Sequence, residues 1–498
     1  MLTLAQVYTG LTGRPAPKTE SASAEPITPW VINSRLVKPG GGFVARPGAT
    51  EESVDGHLYI ADALQRGASV VIAERARTNL TNLEAQVIDL AHPAVLRPPL
   101  LFLTDDSLAA IQKLAAWWRT QANPQLKVIG VTGSVGKTTV KELISMVLSK
   151  RFRTWKSRGN YNSDIGLPLT LLDMPLDVEY AVVEMGMTRS GEIAELAAIA
   201  RPEIGVVTNV GVSHMMQLGN IEAIAKAKAE LVASLPPNGI AVLNGDDQRV
   251  LAMASQTQAR VFTYGLQSDF SIWADKIQSL GLNGITLRFH YGNNKGAQPL
   301  TQSVFAKLAL LGRHSVHSAL AAAGIGLTQG LSWTEIIAGL KDLQKMETLR
   351  IVVVEGINGS KIIDDSYNAS PDSVMAALNL LQDLDGRRIA VLGDMLELGD
   401  YTEKGHRLVA RRAANVANVF VAIGEMAALM AQEARIAGLP DEAIFATTLR
   451  SEATNWLKER IQKNDYLLVK GSRGLRLDEL VTNLARPIQE ACYPTPIK

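Results

Sequence analysis

Val128-Ile-Gly-Val-Thr-Gly-Ser-Val-Gly-Lys-Thr-Thr-Val-Lys-Glu-Leu-Ile-Ser-Met-Val-Leu148 is the stretch that decides the fold. Val128 to Val131 reads as an apolar strand, and it runs into a loop of small residues. After the loop Val140, Leu143, Ile144, Val147 and Leu148 recur at i, i+3, i+4, i+7 and i+8, the spacing of one helix face. Gly133 and Gly136 let the backbone approach a phosphate, and the loop N–H groups and helix N-terminus supply positive partial charge. The Lys137 ammonium suits the β- and γ-phosphates, and the Thr138 hydroxyl suits Mg2+. The expected nucleotide contacts are therefore Thr132, Gly133, Ser134, Val135, Gly136, Lys137, Thr138 and Thr139. An ordinary glycine-containing turn would not need Gly-Lys-Thr in this order between strand and helix. The strict GxxxxGK[ST] spacing has glycine where Val131 stands, so this is a variant P-loop.

A chain of 498 residues has room for about three domains of about 150 residues. Fifty Lys and Arg balance 49 Asp and Glu, which argues against a nucleic-acid or anionic-membrane binder working by bulk charge. The single cysteine, Cys492, leaves no disulfide framework or cysteine metal site within the chain. There is no basic-then-apolar leader and no apolar run of spanning length. A soluble cytoplasmic protein is the expectation, with no nucleic acid and no membrane span.

Working outward, residues 1–124 read as a small α/β domain. Val31 to Ala45 suggests two short strands around a Pro-Gly turn. A helix is expected from Tyr59 to Arg66, a strand from Ser69 to Ala73, irregular chain over 75–100, and a long helix from Ser107 to about Ala122. Residues 125–348 read as a P-loop α/β ATPase domain with a mostly parallel sheet. In it a strand from Tyr180 ends at Glu184. Another, Ile204 to Asn209, leads into Val210-Gly-Val-Ser-His214, and a helix from Ile221 to Leu235 carries Lys226 and Lys228. Glu222 and Lys226 are spaced as an i, i+4 surface pair. Residues 260–310 read as antiparallel β. Residues 349–498 alternate strands (from Lys361, Arg388, Val419, Ala443 and Tyr466) with helices, as a Rossmann-like α/β domain does. Ser370-Pro371 is an N-cap followed by proline at N1. No glycine-rich dinucleotide fingerprint is present. Polar groups gathered at strand C-termini are where open α/β sheets bind ligands.

A variant P-loop, a strand-end Glu184, a Ser-His turn and a lysine helix together resemble the Mur ligases, the ATP-dependent amino-acid ligases of peptidoglycan assembly. Ile362-Ile-Asp-Asp-Ser-Tyr-Asn-Ala-Ser-Pro371, followed by Ser373, looks like the DDxYNANPxS motif of the family members that add a dipeptide. Their single-residue neighbours carry a DYAHxP-like motif there. Val391 to Gly399 and Leu468 to Gly474 resemble segments of the same members. Asn33 to Gly40 and Asp55-Gly-His57 look like the family's uridine-nucleotide domain. The resemblance covers most of the chain and is weakest at 12–30, 75–100 and 265–300.

The resemblance implies joining of D-alanyl-D-alanine to a UDP-muramoyl-tripeptide carboxylate through an acyl phosphate, with ATP consumed and Mg2+ required. It implies that Lys137, Glu184, His214 and Lys228 carry the chemistry, with Thr138, Glu184, His214 and Lys228 serving the metal ions. Taken alone, Glu184 could be a surface or capping carboxylate, and a lone loop histidine is more often structural than a ligand. Lys228 matches a lysine that relatives carry as a carbamate, an anionic oxygen ligand, although an exposed helix lysine is the commoner reading of its spacing. Arg350 and Asp365 are implied on ATP and Ser34 and Arg35 on the UDP substrate. Tyr367, Asn368, Ser370, Lys470, Ser472 and Arg473 are implied on the dipeptide, in a monomer whose domains close over the ligands.

Departures touch Asn33 (family Asp) and Ser163, Ser315, Ser318 and Ser370 (family Asn). A hydroxyl lacks the paired donor and acceptor of an amide. Alternatives are a Mur-type ligase with another amine or acceptor, and a P-loop NTPase coupling hydrolysis to conformational work. The latter leaves the first and third units unexplained.

Overall fold

The computed structural model describes residues 1–19, 25–48, 54–89, 93, 95–121, 125–213, 215–292, 302–342 and 351–486. Three α/β domains follow one another, each built on its own sheet. In the first, five parallel strands lie in the order Trp30–Val31, Gly42–Val44, Val70–Glu74, Leu100–Thr104, Gln86–Ile88. The two short strands expected around the Pro-Gly turn are present and pair in parallel. One expectation is corrected. The stretch 75–100 contributes the strands Gln86–Ile88 and Val95–Leu96.

The central sheet places the P-loop strand Lys127–Thr132 between Ile204–Val207 and Tyr180–Glu184, all parallel. Its side chains alternate between two cores: Val128 packs with Leu196 and Leu231, while Ile129 and Val131 pack with Leu143 and Val147 of the helix Lys137–Leu148. That helix is covered by Ser315–Thr328, whose face of Ala319, Ala321, Ala322 and Ala323 is small enough for close approach. Val128 shares its core with Leu114 and Trp118 of Ser107–Gln121, so the first domain and one face of the central sheet are packed as one body. Residues 260–310 are only partly antiparallel: Arg260–Gly265 and Ile272–Ser279 continue the parallel sheet, and Ile285–Tyr291 and Gln302–Leu308 extend it as a meander.

The third sheet is parallel over Lys361–Asp365, Tyr466–Lys470, Arg388–Gly393, Val419–Ile423 and Ile444–Thr447, with Val352–Glu355 added antiparallel at one edge. This edge strand has only half-buried and exposed residues, so it lacks the apolar run that marks its neighbours. Among the described residues no helix is long and apolar enough to cross a membrane.

Candidate active site

The P-loop takes its shape from the chain that follows the strand Ile204–Val207. Gly133 has φ +146°, and any Cβ there would overlap Thr208 Oγ1. Gly136, at φ +88°, turns the chain into the helix Lys137–Leu148. Between them Val135 is clamped: its N–H donates to Asn209 Oδ1 at 2.9 Å, and its carbonyl accepts from Thr208 Oγ1 at 2.7 Å and Asn209 Nδ2 at 2.8 Å. Ser134 N–H donates to Asn209 O at 3.0 Å. Such a loop presents its remaining N–H groups without needing a ligand to order it. Lys137 Nζ donates to Gly133 O at 2.7 Å, within the loop it serves.

In the first turn of the helix, Thr138 Oγ1 donates to Glu184 Oε2 at 2.9 Å. Asn162 Nδ2 donates to the other carboxylate oxygen at 2.8 Å. The Glu184 N–H donates to Ser157 Oγ at 3.1 Å. Glu184 is 0% exposed; Thr138 and Asn162 fix its two carboxylate oxygens, and Ser157 holds its backbone at the end of the strand Tyr180–Glu184. Its oxygens and the Thr138 hydroxyl are the hard donors that Mg2+ takes beside nucleotide phosphates. Among the described residues there is no cluster of three His, Cys, Asp or Glu.

Lys228 corrects an expectation. It is 2% exposed, on the helix Ile221–Ala233 capped by Asn220, and no described residue pairs with its amine. Burial first, then the Lys137 cation, holds it well below the usual lysine range. Thr132 Oγ1, at the end of the P-loop strand, is also buried without a partner. Glu222 is paired with Arg249 at 3.2 Å, not with Lys226.

The third domain forms the facing wall. Asp365 and Lys470 end neighbouring parallel strands in register, and their side chains meet at 2.6 Å. Lys470 Nζ also donates to Asn368 O at 2.9 Å. Ser370 and Ser373 form a capping box at the start of the helix Pro371–Gln382, with Pro371 at its head. Ser472 Oγ accepts the Leu396 N–H at 2.9 Å, and the Arg473 guanidinium lies 5.5 Å from the Tyr367 ring centre. Beside this wall His314 lines the cleft, exposed at one side; the loss of solvation among its neighbours first, then the Lys470 and His317 charges, pushes it down to about 4.

A cleft of about 1230 Å³ joins the two walls. Ser134, Val135, Gly136, Lys137, Thr138, Thr139, Glu184, Asp365, Tyr367, Asn368, Ser370, Lys470, Ser472 and Arg473 all line it. Thr132, Gly133 and Lys228 are buried and do not line it. Ser34 and Arg35 are not brought to it; Asn33 caps their turn, and the first domain reaches the cleft with Arg46, 3.7 Å from Asp164. His214 and Arg350 lie outside the described residues. Ser163, Ser315 and Ser318 line the cleft, with Ser315 Oγ donating to Gly312 O at 2.7 Å.

Sequence reasoning missed Asn162, Ser157, Thr208 and Asn209, which position the acid and the loop. The Gly159-Asn-Tyr-Asn162 segment was the available signal for the first of these.

Comparison with known proteins bears on all of this. Residues 131–326 match the family model of the Mur ligase middle domain, and residues 349–473 match that of the Mur ligase glutamate ligase domain. The UDP-N-acetylmuramoyl-tripeptide–D-alanyl-D-alanine ligase of Bacillus subtilis (strain 168) is 34% identical over 437 residues, 87% of this chain and 88% of that one. Its namesake in Escherichia coli (strain K12) is 32% identical, covering 91% and 92%. Among solved structures, MurF from Acinetobacter baumannii superposes with a TM-score of 0.75 at 27% identity, covering 96% of this chain and 98% of the other. MurF from Thermotoga maritima in complex with ADP gives 0.71 at 27% identity, covering 91% and 96%.

Proposed function

The chain belongs to the Mur ligase family, and on that footing we propose that it is an ATP-dependent ligase. It joins D-alanyl-D-alanine to the terminal carboxylate of a UDP-N-acetylmuramoyl-tripeptide, forming a peptidoglycan precursor with ADP and phosphate. The observation that carries this reading is the single cleft in which the P-loop and Glu184 face the Asp365–Ser370 corner.

A tripeptide carboxylate oxygen attacks the γ-phosphorus and ADP leaves. The dipeptide amine then attacks the acyl carbon, loses a proton, and phosphate departs with the oxygen that attacked. Such transfer needs positioning and charge neutralisation more than covalent help. In this scheme Lys137 exchanges Gly133 O for a phosphate oxygen. The P-loop N–H groups would hold the nucleotide, and Thr138 and Glu184 would hold Mg2+, with His214 proposed at a second ion. Bound Mg2+ would neutralise charge on the β- and γ-phosphoryl oxygens. Asp365 and Arg350 are proposed on ATP, and Ser34 and Arg35 on the uridine-bearing end, outside the cleft. On the facing wall Tyr367, Asn368, Ser370, Lys470, Ser472 and Arg473 receive the dipeptide, the cations taking its carboxylate. The third domain is proposed to close onto the second, in a cytoplasmic monomer; the linkers near 124 and 348 lie outside the described residues.

Lys228 has the chemistry of a carbamate site. A buried amine held neutral adds CO2, forming an N–C bond and releasing a proton, and the product is an anionic oxygen donor near Lys137. Lys228→Ala should lose activity and regain part of it with added short carboxylic acids; no rescue would count against the modification.

The test of the function is phosphate release. ATP turnover should require both UDP-tripeptide and dipeptide, and D-alanyl-D-alanine should outperform single amino acids. Turnover with ATP alone, or equal stimulation by any amine, would overturn the assignment.

A further inference from the structure

Residues 394–398 follow the strand Arg388–Gly393 in the third domain, and their backbone is held at four successive positions. Asp394 N–H donates to Ile423 O at 3.2 Å, and Asp394 O accepts from Ser472 N–H at 3.0 Å. Met395 N–H donates to His406 Nε2 at 2.9 Å. His406 is 0% exposed and is itself fixed, with Nδ1 donating to Thr402 O at 2.7 Å. Leu396 N–H donates to Ser472 Oγ at 2.9 Å. Glu397 O accepts from Met216 N–H of the central domain at 3.1 Å. Met395 and Leu398 anchor the segment in one core, each 1% exposed. Between them Glu397 stands at φ +64°, a left-handed conformation that residues with a Cβ seldom adopt.

What this frame presents to the cleft is Leu396. Its side chain is 50% exposed, lines the cleft, and lies against Gly474, where a Cβ would come within 3.3 Å of Leu396 Cδ1. Gly474 follows Arg473, which lines the same cleft and faces the Tyr367 ring. The plain alternative is a surface leucine with no role, since single exposed leucines are common. Such a leucine needs no left-handed neighbour and no buried histidine spent on the backbone beside it. Nor does it need to project from a rigid segment into a ligand cleft beside the polar side chains of Ser472 and Arg473.

We propose that Leu396 is a specificity-determining residue: it is the wall that limits the side chain on the C-terminal residue of the incoming dipeptide. The inference rests on the ligase reading given above, in which Arg473 takes the dipeptide carboxylate. The residue that bears this carboxylate is the C-terminal one, so its side chain falls beside Arg473. Leu396 stands there on a backbone that is pinned on both sides and does not retreat. A methyl group fits against the leucine with apolar contact, and a branched side chain meets it. The N-terminal residue, whose amine attacks the acyl carbon, lies farther from this wall.

The test is kcat/KM of the full chain, at saturating ATP and UDP-tripeptide, for D-alanyl-D-alanine, D-alanyl-D-valine and D-valyl-D-alanine. The two valine dipeptides carry the same added bulk at opposite ends. Wild type should prefer D-alanyl-D-alanine over D-alanyl-D-valine by at least about tenfold, the lower end of what an apolar wall achieves. Leu396→Ala should shrink that preference by about tenfold or more, while the preference over D-valyl-D-alanine stays within about twofold of wild type. Leu396→Met conserves volume and should keep most of the discrimination. A general loosening of the domain would instead relax both preferences together. No discrimination by wild type, an unmoved D-valine preference in Leu396→Ala, equal relaxation toward both valine dipeptides, or a Leu396→Met as permissive as alanine would overturn the proposal. A wild type that does not use D-alanyl-D-alanine sinks the ligase reading. A wild type that uses it, with variants that keep its preferences, sinks this inference alone.

Discussion

Asn162→Ala removes one hydrogen bond from the carboxylate at the centre of the site. Asn162 Nδ2 lies 2.8 Å from Glu184 Oε1, and Thr138 Oγ1 lies 2.9 Å from Oε2. A hydrogen bond to a charged group is worth about 1.5–3 kcal/mol. The variant loses that hold on the carboxylate, and Oε1 is free to swing away from the direction in which it faces Mg2+. Groups behind a metal ligand typically contribute about 10–100-fold in metal affinity or activity, which matches the energy just given. The assay is phosphate release against Mg2+ concentration at saturating ATP, UDP-tripeptide and dipeptide. The half-saturating Mg2+ should rise about 10–100-fold, with maximal turnover largely recovered at high Mg2+. Asn162→Asp, which faces one carboxylate with another, should be worse. An unchanged Mg2+ dependence in Asn162→Ala would refute the role given to Glu184, because the buried carboxylate would then be serving the fold alone.

Two further outcomes follow from the same geometry. His314 sits near 4 in the folded protein against 6.5 unfolded, so the unfolded chain binds more protons between those values and stability rises with pH across them. His314 is open to solvent where it lines the cleft, which reduces the size of the effect. His314→Gln should flatten that part of a urea-denaturation series, and an unchanged slope would contradict the lowered value. Asp173 Oδ1 accepts from Thr28 Oγ1 and from the buried Trp30 N–H, each at 3.0 Å, joining the first domain to the central one. Asp173→Ala leaves that N–H unpaired at about 1–3 kcal/mol. It should raise the KM for the UDP substrate while leaving binding of the ATP analogue within about twofold, with Asp173→Asn recovering most of the loss; an unchanged KM would show that the joint does not position the substrate.

What was legible in the sequence was local. Strand, small-residue loop, Gly-Lys-Thr and amphipathic helix are consecutive from Val128 to Leu148, and short-range spacing announces them. Ser370-Pro371 announced a helix start for the same reason, and the buried parallel strands of the third domain were visible as apolar runs. The edge strand Val352–Glu355 and the short strands within 86–96 were not, since sheet pairing rather than hydrophobic pattern defines them. The site was legible as a set of residue types and not as an arrangement. Glu184 announces itself at a strand end, but its partner Asn162 is 22 residues earlier and its role exists only once two segments meet. Helical spacing placed Lys228 on the surface, because the neighbours that bury it come from other elements. The Asp365–Lys470 pair joins residues more than a hundred positions apart through strand register alone.

The central claim is that the P-loop clamps a phosphate about to move to a carboxylate, and oxygen tracing tests it most directly. UDP-tripeptide labelled with 18O at both terminal carboxylate oxygens would be turned over with ATP and D-alanyl-D-alanine, and the released phosphate analysed by mass spectrometry. One labelled oxygen in each phosphate is expected, because the oxygen that attacks the γ-phosphorus leaves with it. Unlabelled phosphate, with one label kept in the new amide carbonyl and the other released to water or to a product other than phosphate, would contradict phosphoryl transfer to the carboxylate.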